Sequence, residues 1–187
     1  MAKLRNLTQM TPTCSIHFDM DPLSVYSDEY RSRKNTPKDR IIEETFPRIL
    51  EFCARKGFRA TFFIVINSIN GRQKIGLLRE ALQDGHEIAC HTMTHPIDYG
   101  KLDEERMVEE VKTAKLKLED MVGEPVYGFK GPGYYFSDQI YRTICDAGYL
   151  YDCSVLPSWA GSLFGFYQRI VNREWKIEKQ FAPFRSM

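Results

Sequence analysis

The sequence lacks the features that would assign it to several large classes of protein. Of its 187 residues, 26 are Lys or Arg and 25 are Asp or Glu, so the net charge is +1, and no bulk electrostatic attraction to nucleic acid is expected. No run reaches the ~18 consecutive apolar residues of a membrane-spanning helix. The first residues lack the apolar core of a secretory signal, and the five cysteines are irregularly spaced. We therefore expect reduced thiols in a cytoplasmic protein.

The remaining composition favours one folded domain over residues 1–187. Hydrophobic residues make up 43% of the chain, and we find no internal repeat or low-complexity linker. Patterns typical of strands alternate with helical patterns, which predicts an α/β fold with a parallel sheet, either a barrel or an open sheet. The predicted strands lie within 14–21, 59–66, 86–91, 126–130 and 149–156, and the predicted helices run from about Phe46 to Lys56, over 76–83, over 103–122 and over 138–147.

Polar residues follow four of the predicted strands. In parallel α/β folds, active sites gather at the carboxyl ends of the strands. More polar groups occur at these positions than composition alone would predict. They are Asp19 and Asp21, His91 and His95, Lys130 with Pro132 and Gly133, and Asp152.

Asp21, His91 and His95 together form a candidate metal site. Two imidazoles and one carboxylate leave other coordination positions open, as in zinc hydrolases and in iron(II) oxygenases, so the ligand types do not choose the metal. The alternative is a pair of hydrogen-bonded, partly buried histidines, and the four-residue spacing favours neither interpretation. We expect Cys90 to point away from His91 as a buried thiol.

Five segments occur in the order found in one family. The chain resembles the polysaccharide deacetylases of the NodB type, also called carbohydrate esterase family 4, from about Ser15 to Pro157. The segment with both histidines is the most specific of the five. The segments are "HFDMD", "RATFFIV", "GHEIACHTMTHP", "FKGPGY" and "GYLYDCSVLPS".

The resemblance implies a distorted (β/α) barrel that binds one divalent metal, most often zinc, through Asp21, His91 and His95. It implies hydrolysis of an N-acyl group, acetyl or formyl, from an amino sugar in a polysaccharide, a peptidoglycan or a lipid-linked precursor. Asp19 would be the general base, and the backbone N–H of Gly133 would help to hold the oxyanion.

Four further residues are candidates for supporting roles. Lys130 takes the place of the arginine that orients the base in the family, and a lysine lacks the two-pronged fork of arginine. Pro132, Tyr134 and Asp152 are the candidate substrate-binding residues. Asp152 falls where the family has an acid near this basic residue, although a turn aspartate at a strand end is an equally good interpretation. Tyr135, Trp159 and a polar insertion at 22–40 are expected to shape the cleft.

The C-terminal part of the sequence departs from the family. The family places a histidine there as general acid, and this chain has no histidine after His95. We expect the last strand or strands of the barrel to be missing. An open sheet edge tends to pair with another chain or segment. We expect the apolar segment 158–171 to form a C-terminal helix packed on the barrel; the alternatives are that it covers the edge, forms a homo-oligomer or rests on a membrane.

Three hypotheses for the function follow. The first is the metal-dependent N-deacetylase. The second is a catalytically weak or inactive family member that keeps the metal site for structure or for carbohydrate binding, which the lysine at position 130 and the absent histidine favour. The third, an iron(II) oxygenase, fits the strand and helix alternation poorly, because a mostly β fold would be expected for it.

Overall fold

One parallel sheet organises the protein. The structure is a computed structural model that describes residues 14–25, 40–135 and 137–155. All strand pairs are parallel, and each strand lies beside its neighbour in the sequence, in the order β1-β2-β3-β4-β5. The α/β prediction is therefore confirmed, and the described residues form an open part of a (β/α) barrel. The strands are β1 (His17–Met20), β2 (Thr61–Ile64), β3 (Glu87–Cys90), β4 (Gly128–Phe129) and β5 (Tyr151–Asp152).

The helix between β1 and β2 begins where the proline predicts. A π-helical turn (Ile41–Thr45) leads into α1 (Phe46–Lys56). Pro47 lies in the first turn of α1, where a missing backbone N–H costs no helical hydrogen bond. Gly57 ends the helix in the left-handed conformation, with φ 71°, which glycine adopts without strain.

The next helix, α2, is longer than the sequence pattern predicts. It spans Gly71–Gln83, whereas the apolar periodicity begins only at Gly76. The first turn contains Arg72, Gln73 and Lys74 and so carries no apolar signal. Lys74 is nevertheless buried, because its Nζ donates a hydrogen bond to the carbonyl of Ser68 at 2.9 Å.

The helical segment between β3 and β4 contains a change of winding. It consists of α3 (Glu104–Val108), a π-helical turn (Glu109–Thr113) and α4 (Ala114–Val122) in succession. The expected ends are confirmed: the Asp103 side chain accepts the N–H of Arg106 at 2.9 Å, and Gly123 has φ 81°. Sequence periodicity did not predict the π-helical turn.

The last described helix, α5 (Asp138–Asp146), connects β4 to β5. Ser137 precedes it, and its hydroxyl accepts the N–H of Ile140 at 3.2 Å. This is the usual arrangement at a helix N-terminus. The helix carries its buried residues, Ile140 and Ile144, on one face.

The two faces of the sheet contact different groups of residues. Phe62, Ile64 and Phe129 point toward the helices and form the main hydrophobic core with them. Phe63, fully buried, lies on the other face, where the His17 ring packs edge-on against it at 5.4 Å. Asp19 is in register with Phe63. Asp19 therefore lies on this second face, close to the other polar residues at the strand ends.

Some expectations concern residues outside the described part of the chain. These are most of the polar insertion at 22–40, Trp159, the apolar segment 158–171 and the absence of strands beyond β5. Within the described ranges, no helix combines the length and hydrophobicity that crossing a membrane requires.

Candidate metal and catalytic site

The structure brings the three predicted metal ligands together. Nε2 of His91 lies 3.2 Å from Oδ1 of Asp21, and Nε2 of His95 lies 3.6 Å from the same oxygen. One ligand atom from each residue falls within 4.8 Å of the others. Asp21 follows β1 and both histidines follow β3, so two strand ends supply a group that could hold a metal ion.

Hydrogen bonding gives His91 the tautomer that a ligand needs. Its Nδ1 lies 2.5 Å from the carbonyl oxygen of Lys130. A carbonyl only accepts, so Nδ1 carries the hydrogen, and in the neutral ring Nε2 presents its lone pair to Asp21. A lone pair facing a carboxylate oxygen is unfavourable unless a metal ion lies between them or the ring takes up a second proton.

The environment of His95 also favours a neutral ring. Burial lowers the pKa of His95, and the neighbouring His91 lowers it further, against the opposing effect of Asp21. The neutral imidazole is the form that binds metal.

The loop that carries the histidines has a strained backbone. Thr92 has φ 65° and His95 has φ 58°, a region that non-glycine residues seldom adopt, least of all β-branched ones. The hydroxyl of Thr92 accepts the N–H of His95 at 3.0 Å, which holds the turn closed. Cys90, immediately before the loop, points into the core, and burial raises the pKa of its thiol to about 12, so it is no ligand.

Asp19 and Lys130 form a close ion pair beside this group. Nζ of Lys130 donates to both carboxylate oxygens of Asp19, at 2.9 and 2.6 Å. The ammonium also lies 5.6 Å from the centre of the Phe63 ring and 5.9 Å from that of Tyr134. The lysine thus holds the candidate base from one side, as the resemblance implied.

The turn after Lys130 places the next three predicted residues. Pro132 is buried, whereas Gly133 and Tyr134 are exposed. Gly133 has φ 70°, and a Cβ built there would come within 2.9 Å of the Tyr135 ring, so the turn requires glycine at this position. Tyr134 also has a positive φ, 56°. The proposed substrate contacts of Pro132 and Tyr134 remain predictions.

The carboxylate of Asp152 bonds to Ser154, two residues further along the chain. Its Oδ1 accepts the N–H of Ser154 at 2.9 Å and the Ser154 hydroxyl at 2.5 Å. Burial raises its pKa, although these hydrogen bonds oppose the effect. Over 14–25, 40–135 and 137–155, no ion pair joins Asp152 to Lys130. This geometry favours the turn interpretation.

Sequence reasoning missed Glu110, which contacts the histidine loop. It is 4% exposed, and its carboxylate accepts hydrogen bonds from Thr94. A signal was present: Glu110 falls between Met107 and Ala114, at three- and four-residue intervals on the buried stripe of the helix. An acid on an apolar stripe needs a partner.

Comparison with known proteins establishes the family. The sequence pattern of the family described as Polysaccharide deacetylase matches residues 11–151. The chain belongs to this family. The Peptidoglycan-N-acetylglucosamine deacetylase of Bacillus cereus is 32% identical over 113 residues, which are 60% of this chain and 50% of that protein. The match therefore spans only half the length of that relative.

Solved structures support the same fold. A structure from Mycobacterium smegmatis matches with a TM-score of 0.63 and 22% identity, over 76% of this chain and 50% of that one. A CE4 family pseudoenzyme from Bacillus anthracis matches with a TM-score of 0.55 and 17% identity, over 74% of this chain and 41% of that one. At these identities, both matches concern the fold alone.

Proposed function

We propose that the protein is a zinc-dependent hydrolase that removes an N-acetyl or N-formyl group from an amino sugar of a polysaccharide, a peptidoglycan or a lipid-linked precursor. The observation that carries the proposal is the convergence of Asp21, His91 and His95 beside the Asp19–Lys130 pair. A ligand set and an acid–base residue side by side are the two elements that amide hydrolysis requires.

The residues fit a divalent metal. The donors are a carboxylate and two imidazoles. Nε2 of His91 and Oδ1 of Asp21 face each other at 3.2 Å, where a shared metal ion would stabilise both. Zinc accepts this set and tolerates open positions. When bound, it would polarise the acyl carbonyl and lower the pKa of a water molecule.

Asp19 is the base in this proposal. Asp21 would be committed to the metal, while Asp19 is left to accept a proton from the attacking water. Lys130 contacts both oxygens of Asp19 and so fixes the direction of the carboxylate. The backbone N–H of Gly133 is the proposed donor to the oxyanion.

In this proposal, the leaving amine receives the proton that Asp19 accepted from water. As the C–N bond breaks, the amine nitrogen needs a proton. We assign this step to Asp19, which returns the proton it took from water. The new C–O bond yields the carboxylic acid, acetate or formate at neutral pH, and the sugar leaves as a free amine.

The substrate class draws its support from the relatives. The Bacillus cereus relative is named for N-acetylglucosamine in peptidoglycan, and a second, from Sinorhizobium fredii, is a Chitooligosaccharide deacetylase. Both names describe an acylated amino sugar within a glycan, which is the class we propose here.

Metal content and acyl release test the proposal together. Protein purified without added metal, then loaded with zinc, should bind about one equivalent and release acetate or formate from N-acylated glucosamine oligomers. His91→Ala should lose both, because one of three ligands is gone. His86→Gln is the matched control, since buried His86 accepts the Ala60 N–H at 3.1 Å, away from the site. Wild type that binds no zinc would contradict the proposal.

The second candidate function is a family member that binds metal and glycan with little turnover. Lys130 in place of arginine favours it, because a lysine lacks the fork that would orient the base. It predicts stoichiometric zinc, glycan binding and no acyl release above the rate of His91→Ala. The same experiment therefore separates the two candidates.

A further inference from the structure

The loop that carries His91 and His95 needs support from outside itself. Its two residues with positive φ, Thr92 and His95, store backbone strain that persists only when surrounding contacts impose the conformation. The Thr92 hydroxyl provides one contact within the loop. The remaining support must reach the loop from another element.

Glu110 provides that support. Its Oε2 accepts the backbone N–H of Thr94 at 2.9 Å, and its Oε1 accepts the Thr94 hydroxyl at 2.5 Å. Both carboxylate oxygens thus accept hydrogen bonds from Thr94, the residue directly before His95. Thr94 is exposed while Glu110, beneath it, is 4% exposed. Burying a carboxylate is costly unless such hydrogen bonds are formed.

The π-helical turn fixes the position of Glu110. Turns of this kind are rare, and they are frequently found at functional sites. Here the turn spans Glu109–Thr113, and the hydroxyl of Tyr149 donates to the carbonyl of Val111 within it at 2.9 Å. The residue next to Glu110 is therefore anchored from the opposite side.

We propose that Glu110 is a positioning residue that holds the 91–95 loop in the conformation in which both histidines meet Asp21. The inference rests on the proposed metal site, because its consequence is the affinity for zinc. Residues that orient ligands from behind typically change metal affinity by about 10- to 100-fold when substituted. We expect a weakening of roughly tenfold, since Glu110 acts through the loop backbone.

The experiment compares two glutamates of the same helical segment. Glu119 also accepts a backbone N–H, that of Val126 at 2.9 Å, together with Lys115, but it does not touch the histidine loop. Glu110→Met and Glu119→Met should each lower the thermal stability of the zinc-free protein. Zinc affinity, measured by competition with a chromophoric chelator, should fall only in Glu110→Met.

Two further variants keep the test decisive if Glu110→Met does not fold. Glu110→Gln can still accept the Thr94 N–H and can donate to its hydroxyl, so it should restore most of the affinity. Thr94→Val changes an exposed residue and removes only the hydroxyl, and should give part of the loss. Amide hydrogen exchange of the 91–95 loop in the zinc-free protein should rise in Glu110→Met and not in Glu119→Met.

The outcomes separate this inference from the proposed function. Equal zinc affinity and equal loop exchange in wild type, Glu110→Met and Thr94→Val would overturn the role of Glu110 and leave the metal site standing. Wild type that binds no zinc would overturn the proposed function, and with it the consequence that we draw for affinity.

Discussion

The loop after β3 and the turn after β4 serve one site but are built differently. The first, residues 91–95, is held by Thr92 from within and by Glu110 from the helix behind it. The second, residues 130–134, exposes Gly133 and Tyr134. Its contacts include the ion pair of Lys130 with Asp19 and a hydrogen bond from the Gly131 N–H to the Ser154 hydroxyl. The ligand half of the site (Asp21, His91 and His95) has the residue types that the family resemblance implies. The acid–base half (Asp19 and Lys130) has a lysine where the resemblance implies an arginine. The two halves should therefore fail separately when they are mutated.

The largest effect is expected from Asp19→Asn. An amide cannot take the proton from water, so acyl release should fall by about 10²- to 10⁴-fold. Zinc content should stay near one equivalent, because Asp19 is not among the grouped ligands. Acyl release and metal content measured on one preparation check both statements. A variant that loses zinc as well would place Asp19 in the ligand half.

A smaller effect is expected from Lys130→Met. Losing a charge-assisted hydrogen bond costs about 1.5–3 kcal/mol, which corresponds to roughly a 10- to 100-fold lower rate. Lys130→Arg is the matched control, and its fork should orient Asp19 at least as well. The measurement is the rate of acyl release by both variants and by wild type. A rate in Lys130→Met equal to wild type would remove Lys130 from the mechanism.

The smallest effect is expected from Asp152→Asn. Because burial raises the pKa of Asp152 above its ordinary value of 3.8, the folded state disfavours the charged form. The free energy of unfolding that Asp152 contributes therefore falls progressively as the pH rises above 3.8. As the pH rises from below 3.8, the variant should lose less stability than wild type, as measured by urea unfolding at each pH. Turnover should stay near that of wild type, and a large loss would instead support a role beside Lys130.

Much of this arrangement could be predicted because local patterns carry it. Alternating and apolar runs predicted the five strands, and the polar residues at their ends predicted the site. Local patterns do not carry distant contacts. The Lys130–Asp19 pair joins positions 111 residues apart, so it was expected from the family resemblance alone and not from any periodicity. The start of α2 was not predicted, because its first turn is polar. The contact between Glu110 and Thr94 was not predicted either, because the apolar periodicity of the sequence does not reveal a π-helical turn.

Lys130 belongs to both halves of the site in different ways. Its side chain holds Asp19, and its backbone carbonyl holds the ring of His91. Every amino acid has that carbonyl, so the metal-binding half does not depend on which residue stands at position 130. Sequence drift at this position can therefore tune or abolish the chemistry without dismantling the metal site. A single substitution at position 130 would therefore separate metal binding from the proposed turnover.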